Sequence, residues 1–177
     1  MKTMRSIVVL TVTLLVCALA FADETGSGYT LGAGDRIRIT VYGHDDLSGE
    51  FQLDGNGDVA LPLIQTVPAI GQTPRDLEQA ITDRLQPQYL RNPLVSVEVL
   101  TPRPFYILGE VSAPGSYPYS AGINVVKAAA LAGGFTYRAN TKKVRITREG
   151  DAEPIERASL QSEVKPGDVI EVPERFF

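Results

Sequence analysis

The sequence predicts an α+β fold of two small sheet-plus-helix units. Three observations carry that expectation. Short stretches with strand periodicity outnumber those with helical spacing, and only two short helices are indicated. Strands and helices come in mixed order along the chain. A Gly-Asp turn feeding a strand occurs twice, in Gly34-Asp35-Arg-Ile-Arg-Ile and again in Gly167-Asp168-Val-Ile-Glu-Val.

Lys2 and Arg5 form a short positive region, and an apolar run follows from Ile7 through Ala20. The run falls short of the about 20 residues of a spanning helix. It ends in Ala20-Phe21-Ala22, a small-x-small pattern suited to a signal peptidase, although Ala18-Leu19-Ala20 has the same form. A signal peptide over 1–22 is expected. Val16 precedes Cys17 where lipidation wants a small residue, so this cysteine is read as part of the leader and no lipid is expected.

Cleavage removes the one cysteine, and with it any disulfide framework, thiolate zinc site or cysteine nucleophile. Without Lys2 and Arg5, 15 basic residues face 21 acidic ones, a formal charge of −6. Nucleic-acid binders are normally basic. No nucleic-acid partner is expected.

Residues 23–28 are polar and read as a flexible leader. After the Gly34-Asp35 turn, Ile37, Ile39 and Val41 alternate with Arg36, Arg38 and Thr40, the pattern of a half-buried strand. Phe51–Leu53 and Val59–Leu63 flank Asp54-Gly-Asn-Gly-Asp58 and read as a β-hairpin. A helix follows, with Thr73 as cap, Pro74 in its first turn, and Leu77, Ala80, Ile81 and Leu85 as its buried stripe. Leu94–Leu100 is the next strand, and Thr101-Pro-Arg-Pro104 the stiff junction between units.

The second unit opens with a strand over Phe105–Val111, which includes Gly109. Pro114-Gly115 reads as a turn that holds glycine at positive φ, and Ser116–Tyr119 returns from it. Asn124 caps a helix over Val125–Ala132, apolar nearly all round and so expected to be buried. Gly133-Gly134 ends it. Lys143–Arg148 alternates as a strand, and Pro166–Val172 closes the chain on another.

The search for catalytic chemistry is negative at the level of motifs. Asp54-x-Asn56-x-Asp58 opens like a calcium loop, but Val59 and Gln65 stand where glycine and a bidentate glutamate are needed. Gly32-x-Gly34 lacks the third glycine of a dinucleotide loop and precedes a strand. His44, beside Asp45 and Asp46, is the one histidine and reads as a loop residue. No Gly-x-Ser-x-Gly elbow marks a serine hydrolase. No enzyme, metal or cofactor is expected.

Binding candidates remain. Lys143, Arg145 and Thr147 share one strand face, either a contact for an acidic glycan or partner, or simply a solvated face. Tyr117 and Tyr119 are read on one strand face, where rings either stack on sugars or pack into the core. Phe176-Phe177 resembles the aromatic end of an outer-membrane barrel, but too few strands precede it for one.

The ordered series of motifs resembles a known family. Tyr29-Thr-Leu-Gly-Ala-Gly-Asp35, Val41-Tyr-Gly, Leu47-Ser-Gly, Asp54-Gly-Asn-Gly, Leu61-Pro-Leu, Gly71-Gln-Thr73, Tyr89-Leu-Arg-Asn-Pro93 and Val95-Ser-Val97 resemble the Wza-type outer-membrane polysaccharide export proteins. Arg103–Val111, Pro114-Gly-Ser-Tyr-Pro and Ala132–Arg138 resemble that family's SLBB domain, a β-grasp fold that binds soluble ligands or partner surfaces. The resemblance implies a polysaccharide export N-terminal domain over 29–101 and an SLBB domain with its closing strand over 102–177.

It further implies a periplasmic, outer-membrane-associated component of a capsule or exopolysaccharide export machine, built as a homo-oligomeric ring around the polymer. An inner-membrane copolymerase is the implied partner. The chain has one SLBB unit and stops soon after Val172 without a pore-lining helix, so a separate outer-membrane β-barrel partner is expected. A monomeric glycan-binding adaptor is the competing reading, and a glycan-modifying enzyme a third. Gly34, Asp35, Gly109, Pro114, Gly115, Gly133 and Gly134 are expected to serve as structural turns, not as contacts.

Overall fold

A computed structural model describes residues 28–175. The expected signal peptide, most of the leader, Cys17 and the terminal Phe176-Phe177 lie outside the described residues. The fold is α+β, as the sequence predicts, with the strands divided among a three-stranded, a two-stranded and a four-stranded sheet.

In the first unit β1 (Arg36–Val41) is central, between β2 (Gly49–Gln52) and β5 (Val95–Thr101), both antiparallel to it. Its alternation sorts the strand: Ile37, Ile39 and Val41 are buried, while Arg36 and Arg38 face solvent and pair across the sheet with Glu50 and Glu98. Between β1 and β2, a 3-10 turn over Asp45–Leu47 follows His44, whose carbonyl accepts from the Ser48 hydroxyl.

The hairpin expected around residues 54–58 is corrected. The turn exists, with Asp54 Oδ1 accepting the amides of Asn56 at 2.8 Å and Asp58 at 3.0 Å. Its two arms belong to different sheets, however. β2 pairs back to β1, and β3 (Asp58–Leu61) pairs forward with β4 (Gln65–Pro68). The real reversal is at residues 62–64, where Leu63 takes a positive φ of 68°.

Helix α1 (Pro74–Leu85) packs Leu77, Ile81 and Leu85 into the first core with Leu31, Ile37, Ile39 and Leu53. Its start is a reciprocal capping box. The Thr73 hydroxyl accepts from the Asp76 amide at 3.2 Å, and the Asp76 carboxylate accepts from the Thr73 amide. The Thr73 hydroxyl also donates to that carboxylate and holds its pKa below the ordinary range. Thr73→Ala is expected to destabilise the protein by about 1 kcal/mol, with Thr73→Ser close to wild type. Denaturant unfolding checks this, and equal midpoints for Ala and wild type would contradict it.

The second unit is a mixed four-stranded sheet ordered β7-β6-β9-β8, from β6 (Phe105–Gly109), β7 (Gly115–Tyr117), β8 (Arg145–Thr147) and β9 (Val169–Val172). β6 and β9 run parallel at the centre, flanked by antiparallel partners, and one helix covers a face: a β-grasp arrangement. That helix, α2 (Val125–Leu131), is capped by Asn124 accepting from the Lys127 amide at 3.0 Å. It is not buried all round. Val125, Ala128 and Ala129 face Phe105, Ile107, Ile146 and Ile170, while Val126, Lys127, Ala130 and Leu131 are exposed. A small domain has one sheet to cover, so only one side of the helix finds a partner.

Four expected turn positions have left-handed backbones, Gly34 (φ 89°), Gly109 (84°), Gly133 (78°) and Gly134 (89°). Gly115 is a correction. Its φ is not positive; it opens β7 opposite Ile107, with exposed Pro114 just before it. The constrained glycine of this hairpin is Gly109, at φ 84°, where a Cβ would collide with the Val172 carbonyl.

Candidate functional site

The two Gly-Asp turns noted in the sequence fold alike and come together where the units meet. In the first, Asp35 donates its amide to the Gly32 carbonyl at 3.2 Å, and its Oδ2 accepts the Gly32 amide at 2.8 Å. In the second, Asp168 does the same with Lys165, at 3.2 Å and 2.8 Å. Both carboxylates are buried, the two buried charged residues among the described residues. A short acid turned back on its own loop satisfies backbone donors that the turn leaves open.

Their remaining partners differ. Asp35 also accepts the Tyr29 hydroxyl at 2.6 Å, the Arg103 amide at 2.7 Å and Arg103 Nη1 at 3.1 Å. Asp168 pairs with Arg148 at 3.4 Å. Burial raises the Asp168 pKa above its ordinary value, and the Lys165 amide and Arg148 charge only partly oppose that. Burial also raises the Tyr29 hydroxyl, helped by its hydrogen bond to Asp35 and by that carboxylate's charge.

Arg103 is the link between units. It sits between Pro102 and Pro104, whose rings fix φ and remove two backbone donors. Pro104 still accepts the Gly167 amide at 3.0 Å. The Arg103 side chain is 12% exposed and binds Asp35 in the first unit and Glu149 in the second. Its guanidinium lies against Gly32 and Gly167, one from each turn, where a Cβ on either would collide with it. Both glycines serve close approach. Burial works against the charged guanidinium, but the Asp35 and Glu149 charges outweigh it and the pKa is raised.

Beside this link a cleft of about 690 Å3 opens between the units. Tyr29 and Pro74 of the first unit line it, and Tyr119, Arg148, Glu149, Glu163, Lys165 and Asp168 of the second. Its walls carry both signs of charge. Tyr119 is partly buried; its hydroxyl pKa is raised by burial, with Glu163 and Asp168 adding to it. The cleft size falls within the range of about 300–1,000 Å3 common to small-molecule sites.

Of the binding candidates read from sequence, Tyr119 alone lines this cleft. Tyr117 and Tyr119 do not share a strand face, because β7 ends at Tyr117. Tyr117 instead stacks on Phe105, ring centroids 6.0 Å apart, and donates its hydroxyl to the Ala113 carbonyl at 2.6 Å. Lys143 lies before β8 and is exposed, and Arg145 pairs with Glu171 across β8 and β9. Arg103, Arg148, Glu149 and Tyr29 were not singled out as site residues. The repeated Gly-Asp turn was the one signal pointing toward them. Among the described residues no group of three or more His, Cys, Asp or Glu side chains could hold a metal ion. No helix among them is long and apolar enough to cross a membrane.

Comparison with known proteins gives two family matches in succession. Residues 23–100 match the polysaccharide biosynthesis/export protein family, and residues 104–156 match the SLBB domain. Strand β9 lies beyond the second match yet completes its sheet. The exopolysaccharide production protein ExoF of Rhizobium meliloti (strain 1021) is 32% identical over 183 residues, covering 90% of this chain. The chain spans 42% of the length of that relative.

Proposed function

From the premise that this chain belongs to the polysaccharide biosynthesis/export family and carries an SLBB domain, we propose that it is a non-enzymatic component of an exopolysaccharide or capsule export machine. It acts in the periplasm, in association with the outer membrane. It forms or supports a ring-like, homo-oligomeric conduit through which the polymer passes. An inner-membrane copolymerase and an outer-membrane β-barrel are its partners in this reading.

The observation that carries the proposal is the continuous likeness, through both units, to an exopolysaccharide production protein. The fold suits the role physically. A conduit supplies no chemical step; it needs rigid shape and surfaces that associate. Two sheet units tied to one another through Arg103 provide a docked pair that a ring can repeat. The polar cleft between the units favours a second reading, a monomeric glycan-binding adaptor. The native mass of the purified mature protein separates the two.

Deletion of the gene tests the export role. Surface polymer is expected to fall at least tenfold while lipid-linked repeat units continue to be made, with surface polymer restored by the gene in trans. Surface polymer at its normal level would end the export reading, and loss of both polymer and repeat units would place the chain in biosynthesis instead.

A further inference from the structure

The cleft where the two units meet has the chemistry of a carbohydrate site, and we propose that it binds a short, uncharged segment of an oligosaccharide chain. The inference rests on the export reading above for the source of that chain. The binding chemistry is read from the cleft itself.

Charge of both signs decides the ligand class. Arg103, Arg148 and Lys165 contribute positive groups, and Glu149, Asp151, Glu163 and Asp168 acidic ones, all around one space of about 690 Å3. A polyanion would be repelled by half of that wall, and a polycation by the other half. A sugar hydroxyl both donates and accepts. It therefore needs carboxylates and cations side by side, as they stand here.

Several of these groups have unused capacity. Neither the Lys165 ammonium nor the Glu163 carboxylate makes a side-chain hydrogen bond or ion pair among the described residues. Arg148 reaches Asp168 and the Glu163 carbonyl only at 3.4 Å and 3.5 Å, the long limit of such bonds. Arg103, by contrast, is held in place by Asp35 and Glu149 and forms the floor of the cleft. Tyr119, partly buried in the same wall, offers the apolar ring that the C–H face of a pyranose packs against. Because Tyr29 and Pro74 come from the first unit and the charged groups from the second, the site exists only while the units are docked.

The test uses the full mature chain, labelled with 15N. The probe is the pool of short oligosaccharides released by limited acid hydrolysis of the host's own surface polysaccharide. Amide shifts are expected to cluster at Tyr119, Arg148, Glu163 and Lys165. Ala121→Trp places a large ring at an exposed position on the cleft wall and is expected to weaken binding at least tenfold with the melting temperature retained. Glu163→Ala with Lys165→Ala should weaken it similarly. An uncharged ligand should lose less than about twofold in affinity between low and high salt, whereas a polyanion loses far more.

Shifts elsewhere, no shifts, binding indifferent to Ala121→Trp, or steep salt dependence would each overturn the inference. The export reading fails separately, by normal surface polymer in the deletion strain. Lost surface polymer together with an empty cleft would remove the site and leave the export role standing.

Discussion

Asp35→Ala should destabilise the protein by about 3–5 kcal/mol, the cost of breaking a buried ion pair from one side. Four donors converge on this carboxylate: the Tyr29 hydroxyl, the Gly32 amide, the Arg103 amide and Arg103 Nη1. Alanine takes this shared acceptor away from all four, in a site that is 0% exposed. It also leaves the Arg103 guanidinium with Glu149 as its one carboxylate. Asp168→Ala removes the structurally equivalent acid yet should cost less, about 1–3 kcal/mol. Its Arg148 partner stands farther away, and burial already disfavours the charged form there.

Asp35→Asn should fall close to Asp35→Ala. An amide group turns two N–H donors toward a cluster of donors. Thermal unfolding of the four proteins gives the order, and Asp168→Ala at or below the melting temperature of Asp35→Ala would refute it. A double-mutant cycle adds a sharper reading. Arg103→Ala should cost clearly less in the Asp35→Ala background than in the wild type, since residues sharing one network are not additive. Simple additivity would mean that Arg103 and Asp35 do not act together.

The sequence carried some of this structure openly and hid the rest for physical reasons. β1 was legible because one face is buried and the other wet, which writes itself into the order of Ile37, Arg38, Ile39, Thr40 and Val41. The start of α1 was legible because Thr73, Pro74 and Asp76 each do a local job that residue type alone reveals. β4 was not, since Gln65-Thr66-Val67-Pro68 buries one side chain and so has no periodicity to show. The pairing of β2 was misread for a related reason. A Gly/Asn/Asp turn announces that the chain reverses; it does not say which strand the arriving segment will bond to.

The site was harder still. Arg103 meets Asp35 across 68 positions and Glu149 across 46, so no local window contains the link. The repeated Gly-Asp turn was visible as a turn. Burial of its two carboxylates was not, because an aspartate beside glycine is ordinarily a solvated turn residue. Tyr119 was noticed as an aromatic near a strand, and its place on the cleft wall depends on a chain path beyond β7 that pattern does not encode.

Gly109→Val should abolish or severely weaken folding, while Gly115→Val should be nearly neutral, the reverse of what the Pro114-Gly115 pattern suggests. Gly109 ends β6 at φ 84°, a region where a branched residue costs about 1–3 kcal/mol by backbone strain alone. Space adds to strain. A Cβ at Gly109 would overlap the Val172 carbonyl oxygen and lie 3.0 Å from its carbon. That carbonyl cannot retreat, because it accepts the Glu110 amide at 2.8 Å and Val172 itself is buried at the centre of the sheet. Relief therefore has to come from parting β6 and β9, the parallel pair on which the second core is built. At Gly115 neither problem arises. The backbone is not left-handed, the nearest atom to a new Cβ is Tyr117 Cε2 at 3.9 Å, and valine favours a strand. Its effect should stay within about 1 kcal/mol of wild type. Gly109→Ala serves as the milder variant should valine prevent folding, and it should still melt well below Gly115→Val. Equal melting temperatures for Gly109→Ala and Gly115→Val would contradict the argument, because both the strain and the collision at Gly109 begin with the first carbon added.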